Sequence, residues 1–247
     1  HEGFQASALG LRGLPAIAEE LIVERDVTIA GLIGAPVHVA HMSVQGSLRA
    51  VRSGKDRDVP VTCEVTPHHF ILTDEVLQSY DTNTKMNPPL REVADRDTML
   101  QGLADGSIDV IATDHAPHHY DEKAVEFDRA PFGIIGLETA VSLSLDRLVK
   151  RGVLSLNRLV ELYSTNPARI LGVAGGILET GAPADLTIIA PDIQTTIDTT
   201  QMRSKAKNTP FDGWELCGSV AATIVAGRVL YVSDTVAGAN VFSKEWK

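Results

Sequence analysis

The chain has 247 residues, 44% of them hydrophobic and 22% charged, enough to bury a core in one large domain or two smaller ones. A net charge of −10 without any dense Lys/Arg run excludes general affinity for nucleic acid or an anionic membrane, which leaves small molecules or a protein as partners. Two cysteines, Cys63 and Cys217, give neither a disulfide framework nor a four-thiolate zinc cluster, so a reducing cytoplasm is the expected location, and no apolar stretch reaches the roughly 20 residues that span a bilayer.

The chain opens at His1 in a Gly/Ser-punctuated loop, as the middle of a longer polypeptide would. From Leu14 to Ile33 apolar residues recur at helical spacing, and Gly34 stands where a helix stops. Residues 36–41 read as a short strand. Ser43 is placed to cap a helix with Val44, Leu48 and Val51 on one face, ended by Gly54. Val59 to Val65 reads as the next strand, Thr73 to Glu75 as a short helix start, Asp95 to Ala104 as a helix closed by Gly106, and Ile108 to Thr113 as a third strand. A loop runs from His115 to Gly136, and its charged stretch from Tyr120 to Arg129, with no core face, is expected to be mobile. Helices follow over Leu137 to Lys150 and, capped by Ser155, over Leu156 to Tyr163; Asn166-Pro167 reads as an N-cap with proline at the first helical position.

Strands alternating with helices imply parallel βαβ units. Beyond Gly176 the pattern changes: residues 184–190, an extension over Thr195 to Thr200, and two runs around Ala226-Gly227 predict a β-rich cap. The expected division is therefore 1–174 for the α/β part and 175–247 for the cap. Three βα units cannot close a barrel of eight, so the remaining strands are expected from a longer polypeptide in preference to a second copy.

All 8 histidines lie within the first 119 residues, and His38, His41, His68, His69, His115, His118 and His119 gather at the predicted strand ends. A lone histidine is ordinarily a surface or core residue. This grouping, with Asp114 closing the apolar run 108–112, instead suits a hydrolytic metal site, in which imidazoles and carboxylates leave one position open for water. His41 and Asp114, one per strand end, are the candidate ligands, and Asp114 is also the candidate proton carrier. In Lys85 to Arg91 two prolines fix an extended loop that presents the Asn87 amide, suited to an amide or imide substrate, while Arg91 anchors the loop. The Pro131-Phe132-Gly133 backbone can approach a small ligand closely.

Leu9 to Ala16, His38-Val39-Ala40-His41-Met42-Ser43, Glu64-Val65-Thr66-Pro67-His68-His69, Met86 to Arg91, Ala112 to His118, Pro131-Phe132-Gly133, Gly181 to Ile189 and Asn208-Thr209-Pro210-Phe211 together resemble the dihydroorotase family of the long-chain bacterial type, in the amidohydrolase superfamily. The resemblance implies an α/β fold: the C-terminal part of a metal-dependent (β/α)8 TIM barrel, about strands 6–8 and their helices, plus a small β-sandwich cap. It implies zinc, binuclear in the full-length enzyme, held in part by His41 and Asp114. Asn87, His118, Phe132 and Gly133 correspond to substrate contacts. The implied reaction is the reversible interconversion of N-carbamoyl-L-aspartate and L-dihydroorotate in pyrimidine biosynthesis, by attack of a metal-bound hydroxide with Asp114 as proton shuttle.

The family's remaining ligands, on earlier strands, have no counterpart in this chain, so the isolated fragment is expected to be inactive. A homodimer and an aspartate carbamoyltransferase partner are further implications of the resemblance. Two rival readings are a hydantoinase or allantoinase type of cyclic amidase, and an inactive homologue serving as a scaffold for aspartate carbamoyltransferase.

Overall fold

The computed structural model describes residues 1–234; the last thirteen residues of the expected cap, 235–247, lie outside the described residues. The chain forms two compact units, His1–Ala140 with Asp198–Asp212, and residues 141–197 with those from 213 onward. This division differs from one at residue 174, because the helices that follow Ala140 cluster with the antiparallel sheet.

The first unit is built on a parallel sheet of order β1-β2-β3: β1 (Val37–Val39), β2 (Val61–Val65) and β3 (Val110–Ile111). Val37 pairs with Val61 and Val39 with Cys63, while Glu64 pairs with Val110 and Val65 with Ile111. In β2 alternate residues divide the faces. Val61, Cys63 and Val65 are buried, whereas Thr62 and Glu64 lie on the other face, where His38 of β1 stands in register with Thr62. The outer strands are shorter than their apolar runs suggested, because His41 and Asp114 turn the backbone into the left-handed region, with φ of 36° and 45°.

Helices α1 (Phe4–Leu9) and α2 (Ala16–Ile33) precede β1, α3 (Gln45–Asp56) connects β1 to β2, and α4 (Pro67–Ile71) and α5 (Val93–Asp105) lie between β2 and β3. Gly54 does not end α3 but lies within it, where a Cβ would come 2.6 Å from Val27 and 3.1 Å from Val61. Its small size sets how closely α3 approaches α2 and β2. Helix α2 has buried Val23, Val27 and Ala30 on one side but Ile17, Leu21, Leu32 and Ile33 exposed on another.

Ser43 is not the N-cap of α3. That position falls on Val44, with no side-chain cap; the first N–H of the helix, that of Gln45, donates to Asp95 Oδ1 of α5 at 2.9 Å, while a carboxylate of α2 holds the turn just ahead of it. Glu19 of α2 accepts hydrogen bonds from the Ser43 N–H at 2.9 Å, the Val44 N–H at 3.3 Å, the Ser47 hydroxyl at 2.8 Å and the Ser43 hydroxyl. Arg91, 4% exposed, completes the group: it donates to Ser43 Oγ at 3.0 Å and to the Leu14 carbonyl at 2.9 Å, and it lies 3.4 Å from Glu19. The expected anchoring by Arg91 is thus one part of a buried ion-pair network.

In the second unit, the predicted helix over 137–150 is α-helical at Ala140–Ser144 (α7) and widens to a π-turn at Leu145–Val149. Helix α8 (Leu156–Val160) continues through a second π-turn at Glu161–Thr165 into α9 (Asn166–Leu171). Asn166 is therefore inside a continuous helix and is not an N-cap. Pro167 lacks the N–H that would bond back to the preceding turn, and the widened turn just before it absorbs the defect.

The sheet of this unit has order β4-β5-β6, antiparallel, from β4 (Leu186–Thr196), β5 (Glu215–Val225) and β6 (Arg228–Val232). Ala226 and Gly227, with φ of 49° and 76°, form the two-residue hairpin turn. Pro191 sits at a register irregularity in β4, where a missing N–H costs no ladder bond. Among the described residues no helix is long and apolar enough to cross a membrane.

Removing the Glu19 carboxylate takes away the ion-pair partner of buried Arg91 and the acceptor of the Ser43 and Val44 N–H groups just ahead of α3. Glu19→Ala should lower stability by about 3 kcal/mol or more in denaturant unfolding. A loss below about 1 kcal/mol, the range of an exposed ion pair, would contradict this account of the network.

Candidate active site

Parallel strands aim the residues at their C-terminal ends toward one side of the sheet, where chemistry collects in α/β folds. His41 follows β1 and Asp114 follows β3, on the two strands flanking β2. A left-handed backbone costs a non-glycine residue about 1 kcal/mol or more, and such strain persists where the surroundings hold it in place. At His41 the hold is visible: its N–H donates to Glu64 Oε1 at 3.2 Å, while Glu64 Oε2 accepts from His38 Nε2 at 3.0 Å. The other ring nitrogen of His38 meets the Thr62 hydroxyl at 2.8 Å. Glu64 is held below the usual carboxylate range by these partners, against the opposing effect of burial.

His41 Nδ1 is buried without a hydrogen-bond partner. The Asp114 carboxylate likewise has no hydrogen-bond or ion-pair partner among the described residues. A free imidazole nitrogen and a free carboxylate are the donor types zinc takes, so both fit a metal site. They do not complete one. Among the described residues, the group of three close ligand atoms is His1, Asp74 and Glu92, which contains neither of them.

Four of the other histidines, His38, His69, His115 and His119, have structural tasks. His38 carries Glu64. His68 and His69 lie in the short helix α4 (Pro67–Ile71), 2% and 4% exposed, with ring centroids 4.5 Å apart. A carbonyl only accepts, so His69 Nε2 donates to Pro88 O at 3.0 Å and its neutral Nδ1 takes the Thr66 hydroxyl proton at 2.8 Å. His115 Nδ1 accepts from the Gly136 N–H at 3.1 Å, and His119 caps the short helix α6 (Tyr120–Lys123) in a reciprocal capping box with Glu122. The clustering of histidines reflects, for His38, His69, His115 and His119, hydrogen bonds within the fold, whereas His68 Nε2, like His41 Nδ1, is buried without a partner.

His118 faces a cleft of about 570 Å³ shared with Thr82, Asn83, Lys123 and Asn208. Its Nε2 donates to the Phe132 carbonyl at 2.8 Å, and Nδ1 lies 3.4 Å from Glu122. His115 and Ile134 form a parallel bridge beside it, with Ala116 N donating to Ile134 O at 3.1 Å. Gly133, at φ 146°, has room only as glycine: a Cβ would meet Ala116 Cβ at 2.7 Å and Ala116 O at 2.9 Å. Its N–H donates to Lys85 O at 2.9 Å. His118, Phe132 and Gly133 are thereby brought together, whereas Asn87 stands exposed on its own loop.

The segment between them, which the sequence suggested to be a free loop, is clasped by two lysines. Lys123 Nζ donates to Thr82 O at 3.1 Å and Pro131 O at 2.8 Å, and Lys85 Nζ donates to Phe127 O at 2.8 Å and Asp128 O at 2.9 Å. Burial pulls Lys123 down to about 8, with Lys85 adding to the effect. Cys63 and Cys217 are buried and free, and burial with Asp109 nearby pushes the Cys63 thiol up to about 12, which leaves it inert as a nucleophile.

Glu64 was not singled out by sequence reasoning. The one available signal was its place in β2, two residues beyond Thr62 on the polar face of an otherwise apolar strand.

Three comparisons bear on this arrangement. Residues 37–230 match the model of the amidohydrolase family. The chain is 54% identical over 231 residues to a dihydroorotase of a Geobacter species, covering 94% of this chain and 54% of that protein, and 54% identical over 230 residues to a dihydroorotase of Pelotomaculum thermopropionicum, covering 93% and 54%. Among solved structures it is similar to the L-hydantoinase of Arthrobacter aurescens, with a TM-score of 0.84 and 30% identity over 88% of this chain and 49% of that one. The chain spans about half the length of the curated relatives it matches.

Burial lowers His69 from its ordinary 6.5 to about 4 and holds His68 well below 6.5, with His41 adding repulsion to both. Between those values the unfolded chain takes up protons that the folded chain refuses, so stability falls as pH drops from about 6.5 toward about 4. Denaturant midpoints measured across that window should decline steadily. A flat midpoint would show that these rings charge without cost.

Proposed function

The chain belongs to the amidohydrolase family, and from that premise we propose that it is the C-terminal portion of a metal-dependent cyclic amidase that interconverts L-dihydroorotate and N-carbamoyl-L-aspartate. The likeness to dihydroorotases, much closer than that to the hydantoinases, carries this reading. The parallel sheet supplies about strands 6–8 of a (β/α)8 barrel, and the antiparallel sheet β4–β6 is the C-terminal share of a small β-sandwich. Preceding barrel units would cover the outer edge of β1 and the exposed apolar side of α2, whose Ile17, Leu21 and Leu32 otherwise face water.

His41 and Asp114 would hold zinc together with ligands from the preceding strands. When bound, the metal supplies an activated water and polarises the scissile carbonyl. The protein's part is then proton traffic and orientation. The Asp114 carboxylate, free of competing partners, accepts the proton of the attacking water and returns it to the ring nitrogen as the C–N bond breaks. Glu64 keeps His41 in its left-handed turn, so the imidazole is aimed before any ligand arrives. The Asn87 amide, the His118 ring and the backbone at Phe132 and Gly133 recognise the substrate. The partners proposed are this substrate pair, a second copy of the full-length chain and aspartate carbamoyltransferase.

In the full-length polypeptide, Asp114→Asn should lower kcat for dihydroorotate hydrolysis by roughly a hundredfold or more, because an amide cannot take the proton. Turnover near that of the unaltered enzyme would refute the role. Asn87→Ala should weaken substrate handling while zinc content, measured by atomic absorption, stays unchanged; loss of metal in that variant would mean that the loop serves the metal site.

A further inference from the structure

Asn208 belongs to neither strand end, yet its side chain joins two of the proposed recognition segments. It is 4% exposed, and its amide is fully used. Nδ2 donates to Ala116 O at 2.9 Å and to Gly133 O at 3.1 Å, and Oδ1 accepts from the His118 N–H at 3.1 Å. Its own carbonyl accepts from the Ile135 N–H at 3.0 Å. Carbonyls accept and a backbone N–H donates, so just one orientation of the amide satisfies all three side-chain bonds. No residue of the same size with a different donor and acceptor pattern can do so.

The consequence is a fixed spacing. Ala116 and His118 follow β3, Gly133 lies across the intervening loop, and the paired backbones at His115 and Ile134 set their direction but not the separation beyond them, a gap that the His118 ring also spans through its bond to Phe132 O. Asn208 bridges that gap from a segment some seventy-five residues further along.

We propose that Asn208 is a positioning residue for substrate recognition: it sets the distance between the His118 and Gly133 backbones, and so the geometry in which the His118 ring and the Phe132-Gly133 backbone meet the substrate. This rests on the dihydroorotase reading of the chain. Asn208 acts on recognition and not on the chemistry, because none of its bonds reaches His41 or Asp114.

The test is steady-state kinetics of the full-length enzyme with Asn208→Ala and the isosteric Asn208→Asp, which keeps the acceptor for His118 but turns an oxygen toward two carbonyls. Both should raise KM for dihydroorotate about tenfold or more while kcat falls less than about threefold, the signature of lost binding geometry. Hydrogen exchange of the His118 amide should quicken in the alanine variant. A KM within about twofold of the unaltered enzyme, or a fall in kcat at unchanged KM, would overturn the proposal. If alanine prevents folding, the aspartate variant decides; failure of both to fold would make Asn208 a folding residue and overturn it as well. No dihydroorotate turnover by the unaltered enzyme would instead sink the functional reading on which the proposal stands, a result separable from an unchanged KM.

Discussion

The Glu19 carboxylate ties together three stretches of chain that the sequence keeps far apart. It reaches from α2 to the turn that follows β1, where it takes the Ser43 and Val44 N–H groups and the Ser43 and Ser47 hydroxyls, and it faces Arg91 from the loop before α5. Without it, the turn ahead of α3 would hold unsatisfied N–H groups and the guanidinium would lose its ion-pair partner. The turn it fixes is the one that carries His41. A structural ion-pair network thus sets the position of a candidate metal ligand, while Glu64 restrains the same turn from the other side.

The division of labour among the polar groups follows from the sheet. Residues on the helix-facing side of β2 are apolar and closed, and those on the opposite face, His38, Thr62 and Glu64, form a hydrogen-bonded strip leading toward the strand ends. Along that strip every group has a partner until His41 Nδ1 is reached. Fully paired neighbours make the unpaired donors stand out, and they are the ones with the right chemistry for a cation. In the function proposed, two ligands are the share that three strands contribute to a site assembled from several strands of a barrel.

Much of this was legible because local patterns dominate locally. The alternation in Val61 to Val65, the apolar spacing along α2, and the Ala226-Gly227 hairpin all depend on near neighbours, and each fell close to where it was expected. The readings that failed depended on distant partners. Ser43 has the side chain of an N-cap, but its hydroxyl is spent on a carboxylate twenty-four residues earlier, and the first N–H of α3 goes to Asp95, fifty residues beyond Gln45. Asn166-Pro167 has the form of a helix start, yet a π-turn lets the helix pass through it. Histidine counts overstated the metal site, since His69 and His115 use their rings for hydrogen bonds that only the folded chain reveals. Asn208 could be noticed in its Asn-Thr-Pro-Phe setting, but nothing local shows that its amide closes on Ala116, His118 and Gly133.

What connects fold and function is the proposal that the full-length polypeptide reads dihydroorotate and not another cyclic amide. The most direct measurement is the specificity constant of the full-length polypeptide for dihydroorotate, hydantoin and allantoin under the same conditions. The account predicts that kcat/KM for dihydroorotate exceeds both others by roughly a hundredfold or more, since a site that hydrogen-bonds the substrate's polar groups rejects ligands lacking them. Turnover of hydantoin with none of dihydroorotate would contradict it.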